Sequence, residues 1–451
     1  MDTRTQQMLQ APLLPTLLRL ATPNVIGLFA TTVVIGYDGF ILGRLGATAL
    51  AGVALVFPLS MLMLQMSAGG IGGATTAAVA RALGAGRRDD ASRLAQHALF
   101  IAAVMAGLFT LVLLGFGSTI FGAISGSNGG HGPALADALA YANVLFGGAI
   151  VIWLTNVLAA VVRGAGNMLL PSLMLLATAL LHMALCPLLV FGWGRFAGLG
   201  VAGAAISTLT ANGLAAAVLA AHLLRRDGAV QLHGTPWRLR GDLLRAILKV
   251  GLPASLSPVI SNASIAVATV LIGSYGVAAL AGYGVAARLE YILVPIAFGF
   301  GTALTALVAT NMGAGQAGRA LRVTWLGGAV VAAITGAIGI TVALAPALWM
   351  DLFTADAAIV AFGASYLQVV GGFYGFFGLG LALFFASQGA GRMFWPIAGS
   401  LARLLIVGIG GWLCVHVLHT SATGLFAVIA VSLGIYALTI AAAIRLGGWA
   451  K

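Results

Sequence analysis

Apolar residues run along this chain in blocks too long for the interior of a soluble domain, and short stretches rich in glycine, proline or arginine separate them. A helix crosses the hydrocarbon core of a bilayer with about 20 such residues. With hydropathy as the guide and Gly, Pro and charge as punctuation, helices are predicted over 16–43, 49–80, 93–124, 135–162, 169–191 and 198–224. A second set follows over 246–274, 278–310, 318–346, 357–387, 394–418 and 422–446. The pattern predicts an all-α polytopic membrane protein with twelve transmembrane helices and no strands.

The longest polar connection, RRDGAVQLHGTPWRLRGDLLRAILK (225–249), falls between the sixth and seventh helices. Its end, from Arg238 to Lys249, reads either as a short amphipathic helix on the membrane surface or as a solvated loop. The segments on its two sides repeat. GRLGATALAG (43–52) matches GSYGVAALAG (273–282), LGAGRRDDASR (83–93) matches MGAGQAGRALR (312–322), and RGAGNMLLP (163–171) matches QGAGRMFWP (388–396), at offsets of 230, 229 and 225 residues. The predicted domains are an N-terminal lobe (1–224), a cytoplasmic linker (225–245) and a C-terminal lobe (246–451). Six helices is an even number, so the two six-helix lobes keep one orientation and are related by a pseudo-twofold along the membrane normal.

The tripeptide Gly-Ala-Gly occurs at 84–86, 164–166, 313–315 and 389–391, each time where an even-numbered predicted helix ends. A phosphate-binding loop would open a helix after a strand, and its nucleotide form requires a lysine. The two lysines, Lys249 and Lys451, stand elsewhere. The copies read as turns whose glycine takes the left-handed conformation that closes a helix.

Composition sharpens this picture. Charged residues make up 7% of the chain, against about 25% in a soluble domain, and 61% is hydrophobic. The 63 glycines favour close helix contact in lipid. The net charge of +12 lies on one side: Arg4, Arg19, Arg81, Arg87, Arg88, Arg93, Arg225, Arg226, Arg319, Arg392, Arg445 and Lys451 share the side of both termini, while the opposite loops hold only Arg44 and Arg195. By the positive-inside rule both termini are cytoplasmic, and nucleic acid is not expected as a partner. Cys186 and Cys414 lie in apolar runs and form no disulfide framework. No removable signal peptide is read at the N-terminus.

Few side chains carry chemistry. Asp38 is the one acidic residue set well inside an apolar run of the first six helices. A carboxylate there is costly and marks an ion or proton pathway, or else a hydrogen bond to a neighbouring helix. In the eighth helix Arg288 and Glu290 are two residues apart and do not face each other, so each needs another partner. A structural ion pair and a substrate or proton role both remain open. Phe373, Tyr374, Phe376 and Phe377 in the tenth helix either line a cavity for flat cations or pack the bundle.

The stretch PNVIGLFATTVVIGYDGFILGRLGATALAG (23–52), the GAG turns, GVAGAAIST (200–208) and YGVAALAGYGVAARL (275–289) together resemble the multidrug and toxic compound extrusion (MATE) family over nearly the whole chain. Arg288, and the lack of carboxylates in the seventh and tenth helices, make it more similar to the DinF-like than to the NorM-like branch. Asn262 occupies the region where NorM-like relatives keep a carboxylate. The resemblance implies a cation-coupling site of Asp38 with residues of the fifth helix and Thr208. Many bacterial relatives have an Asn and an Asp on that helix, where this chain reads LHMALCP, with His182 and Cys186 one turn apart. Losing those oxygen ligands disfavours a hard cation such as sodium and points to protons, with Asp38 and His182 as a proton-sharing pair. A structural role is the other reading of His182.

The expected function is proton-coupled export of lipophilic, often cationic drug-like molecules by alternating access, in a bacterial inner membrane. Asp38, His182, Cys186 and Thr208 are the expected coupling site, and Arg288, Glu290, Asn262, Tyr374, Phe373 and Phe377 the expected substrate cavity. No enzyme activity, cofactor or metal is expected, and the chain is expected to be a monomer in contact with lipid. The alternatives are sodium coupling and a flippase or exporter of a lipid-linked or polysaccharide precursor.

Overall fold

The computed structural model describes residues 3–125, 132–194, 196–225, 228–232 and 238–449. The predicted positions Arg195, Arg226 and Lys451, and linker residues 226–227 and 233–237, lie outside the described residues.

Among the described residues eleven helices are long and apolar enough to span a membrane: α1 (Leu13–Leu45), α2 (Ala47–Gly84), α3 (Arg88–Gly115), α5 (Leu169–Phe191), α6 (Val201–Leu223), α7 (Gly241–Gly273), α8 (Val277–Gly313), α9 (Ala317–Leu344), α10 (Ala357–Ala390), α11 (Phe394–Val417) and α12 (Ala422–Arg445). The fourth span is a bent pair, α4, whose parts Pro133–Gly147 and Ala149–Gly164 meet at 48°. Gly148 sits at the bend, and a Cβ there would lie 2.3 Å from the Leu209 side chain of α6. The glycine lets the bent helix close on its neighbour.

Several helices depart from the α form in ways the hydropathy pattern does not carry. In α2 residues Met66–Ile71 form a π turn. In α8 the chain tightens at Arg288 and Leu289, whose N–H groups bond three residues back to Val285 and Ala286, about two turns ahead of Pro295. The expected surface helix from Arg238 to Lys249 does not form as a separate element; from Gly241 onward the residues are the first turns of the 33-residue α7. The expectation of no strands is corrected by a short antiparallel ribbon between α5 and α6, pairing Gly192 with Ala197 and Trp193 with Phe196.

The four GAG turns share one geometry. Gly86, Gly166, Gly315 and Gly391 have φ of 77°, 79°, 75° and 77°. In each, the N–H after the glycine reaches five residues back: Arg87 to Ala82, Asn167 to Val162, Gln316 to Asn311 and Arg392 to Ser387. This closure satisfies carbonyls that the helix end leaves unpaired.

The chain forms two compact units, one of Met1–Gln6 with Ile26–Gly251 and the other of Gln7–Val25 with Leu252–Lys451. These bounds differ from a cut through the linker. Within the second unit Asn24 donates to Thr302 Oγ1 at 2.9 Å, Asn311 donates to the Met8 carbonyl at 3.3 Å, and Arg319 donates to the Ala11 carbonyl. Gly299 makes room there, since a Cβ on it would stand 2.4 Å from a Val25 methyl. Within the first unit the end of the linker is tied down: the Gln231 N–H donates to Ser92 Oγ at 3.0 Å and the Arg240 N–H to His97 Nε2 at 2.7 Å.

Candidate functional site

In the first unit α1 brings Asp38 against α5. Pro187 has no N–H, so the carbonyl four residues earlier, that of Met183, lacks its helical donor. The hydroxyl of Tyr37 supplies one at 2.8 Å. That bond fixes α1 beside α5 and sets the next residue, Asp38, opposite His182. Helix α6 closes from the other side, where Gly203 leaves no Cβ to strike the Leu189 carbonyl; one would lie 2.5 Å away.

The result is a polar chain across three helices. Asp38 Oδ1 stands 2.7 Å from His182 Nε2. On the far side of the ring, His182 Nδ1 is 3.0 Å from Ser207 Oγ and 3.4 Å from Thr208 Oγ1. The Asp38 side chain is 28% exposed and that of His182 4%, so the carboxylate faces open space and the imidazole lies behind it. Cys186 is fully buried one turn from His182, and its sulfur, the imidazole and the carboxylate lie within 4.8 Å of one another. The Nε2–Oδ1 separation is that of a charge-assisted hydrogen bond; two ligands of one tetrahedral zinc stand about 3.3 Å apart, from bonds of about 2.0 Å.

Asp38 and His182 line a cavity of about 370 Å³ whose wall also includes Tyr141, Asn156, Thr208 and Asn212 among apolar residues such as Phe57, Met61 and Leu64. Asn156 is held by a 2.9 Å bond to Ser67 in the π turn of α2. No arginine or lysine is among the described lining residues.

The MatE family pattern matches residues 23–188 and 253–413. The chain belongs to this family. It is 27% identical over 389 residues to the FAD transporter of Shewanella oneidensis, covering 84% of this chain and 82% of that protein. It is 25% identical over 363 residues to a probable multidrug resistance protein NorM of Thermotoga maritima, covering 80% and 76%. The solved outward-facing structure of a multidrug resistance MATE transporter of the MOP superfamily superposes with a TM-score of 0.89 at 25% identity, covering 100% and 99%. As a MATE transporter the protein is a multi-pass membrane protein and not an enzyme. The Asp–His–Ser order has the composition of a hydrolase triad, but Ser207 is wholly buried and so is not presented to a substrate.

The remaining predicted residues of this MATE protein lie in the second unit and are not among the residues lining the cavity described. Arg288 is exposed at the tightened turn of α8, its guanidinium 5.5 Å from the Phe353 ring. Glu290 follows that turn and is half-buried. Asn262 is exposed and donates to the Pro258 carbonyl of its own helix at 2.9 Å. Tyr374 and Phe377 are buried in an apolar cluster with Tyr366 and Phe426, and Phe373 packs at its edge. Tyr37, Tyr141 and Ser207 escaped the sequence reading. Ser207 stands in the quoted GVAGAAIST beside Thr208, and the Tyr37–Asp38 dipeptide with Cys186–Pro187 was the signal for the first.

Proposed function

We propose that this MATE transporter is a proton-coupled exporter of lipophilic, cationic small molecules, in which protonation of Asp38 accompanies substrate release. The observation that carries this reading is the 2.7 Å contact between Asp38 and His182 in the wall of a 370 Å³ cavity. A carboxylate there attracts a cation when ionised and releases it when a proton replaces the charge. The donors nearest it, a nitrogen and a sulfur, are poor partners for sodium, which takes oxygen ligands as hard cations do. The relative that transports FAD suggests an anionic cargo as a second reading, but the described lining carries no cation to meet a pyrophosphate. The same lack weighs against a lipid-linked phosphate precursor. Arg288, with no acidic residue in α7 beyond Asp242 at its start and none in α10, supports placement near the DinF-like branch. The arginine bias supports cytoplasmic termini.

The test is efflux of a fluorescent lipophilic cation from vesicles under an imposed pH gradient. Wild type is expected to export, and Asp38→Asn to fall to the level of protein-free vesicles. Export by Asp38→Asn equal to wild type, or export that follows a sodium gradient and ignores pH, overturns the proposal.

A further inference from the structure

The geometry points to Ser207 as a positioning residue that fixes which nitrogen of His182 carries the ring proton, and thereby obliges the Asp38–His182 contact to hold one mobile proton. Nothing in the family comparison assigns this serine. The argument uses the hydroxyls on α6. Ser207 Oγ stands 3.2 Å from the His182 carbonyl and Thr208 Oγ1 3.1 Å from the Ala204 carbonyl, so each hydroxyl has a helix carbonyl within reach of its proton. A hydroxyl has one proton to give and lone pairs to receive with. With both protons engaged on helix carbonyls, both oxygens turn lone pairs toward His182 Nδ1, at 3.0 Å and 3.4 Å. In that arrangement Nδ1 is the nitrogen that bears the hydrogen, and Ser207 is its nearer acceptor. Ser207 is wholly buried, so no water competes for that bond.

The consequence falls on the other nitrogen. A neutral ring protonated at Nδ1 presents a lone pair at Nε2, and 2.7 Å away stands a carboxylate oxygen. Two lone pairs do not tolerate that distance. The contact needs one further proton, shared as a neutral acid with a neutral ring or as a carboxylate with an imidazolium. When that proton leaves, the contact must open. Without Ser207 the ring is free to move its hydrogen to Nε2 and bond an ionised Asp38 with no mobile proton, so the pair no longer counts protons. The other titratable groups within electrostatic reach of Asp38 are Tyr37 on its own helix, Tyr141 of α4 and Cys186 of α5. None of them is bonded to Nδ1, which leaves the tautomer to α6.

The ring itself is the first readout. The protein is labelled with ¹⁵N-histidine, and its seven histidines are separated by comparison with His182→Asn. Wild type at alkaline pH is expected to show His182 protonated at Nδ1. Ser207→Ala is expected to move the hydrogen to Nε2, and Ser207→Thr, which keeps the hydroxyl, to retain the wild-type pattern. Ser207→Cys, close in shape but a weak acceptor, serves where the alanine packs poorly. The second readout is the affinity of the folded protein for a lipophilic cation as a function of pH. Wild type is expected to change by up to about tenfold per pH unit, as one exchanged proton allows, and Ser207→Ala by less than about twofold. A wild-type ring protonated at Nε2, or a Ser207→Ala variant with unchanged tautomer and unchanged pH profile, overturns the assignment. Only the transport consequence rests on the proton-coupled function. An Nδ1–H ring in a transporter indifferent to pH sinks that function and supports the tautomer, while an Nε2–H ring with pH-driven export does the reverse.

Discussion

Tyr37 shows how one missing hydrogen organises a site. Pro187 leaves the Met183 carbonyl without a helical donor, and the phenol that fills the gap carries Asp38 with it to within 2.7 Å of His182. Tyr37→Phe keeps the ring and removes the donor. A half-buried acceptor left unpaired costs about 1–2 kcal/mol, so this variant is expected to melt several degrees lower in detergent and to loosen the pH dependence of ligand binding. Unchanged melting would show that the carbonyl finds another partner. Asp38 was legible in the sequence because a carboxylate inside an apolar run has few innocent explanations. Ser207 was not, because a serine on a transmembrane helix most often bonds a carbonyl of its own helix, and only the position of the imidazole across from it distinguishes this one.

Glycine acts on the elements in two separable ways. Gly203 is required by space: its missing Cβ lets the carbonyl of Leu189 approach, and with it α6 approaches α5. Gly203→Ala is expected to separate the helices that carry His182 and Ser207, costing about 2–3 kcal/mol as overpacking does and abolishing pH-dependent binding. Gly86 is required by conformation: nothing lies within 4 Å of its would-be Cβ, but its φ is 77°. Gly86→Ala is expected to cost only about 1 kcal/mol, with Gly86→Asn milder because asparagine tolerates the left-handed region. Thermal melting of the three variants separates the cases, and equal losses at Gly203 and Gly86 would contradict them. The turns were readable in advance because a helix end, a glycine and a basic flank occur together in sequence. The tightening at Arg288, the π turn at Met66–Ile71 and the bend at Gly148 were not, since each is set by the neighbour against which the helix packs.

At the scale of the molecule, the family and the helical, membrane-spanning architecture followed from hydropathy, repeat and motif order, whereas the bounds of the two units did not. Hydropathy records where the chain crosses the membrane, not which bundle each half of a helix joins. The N-terminal part of α1 has its partners in the second unit, through Asn24 with Thr302 and Val25 with Gly299. Asn24→Ala is expected to destabilise by about 1 kcal/mol, the net worth of one buried hydrogen bond, and to do so together with Thr302→Ala less than additively. Energetically the proposed cycle is within reach: exchange of one proton for a monovalent cation moves no net charge, so its driving force is the pH difference, and each pH unit sustains a roughly tenfold gradient of the cation at about 1.4 kcal/mol per tenfold. Accumulation of a monovalent cation driven by about 100 mV without a pH difference would require more than one proton per turnover.

The hydrogen bond from Asn24 to Thr302 spans 278 residues of sequence. During synthesis, the segment around Gln7–Val25 emerges from the ribosome well before α8 and waits for α8 to be made before its partners exist. The opening turns of α1 must be held meanwhile by lipid or by the insertion machinery, and a ribosome stalled before α8 leaves them without a dock.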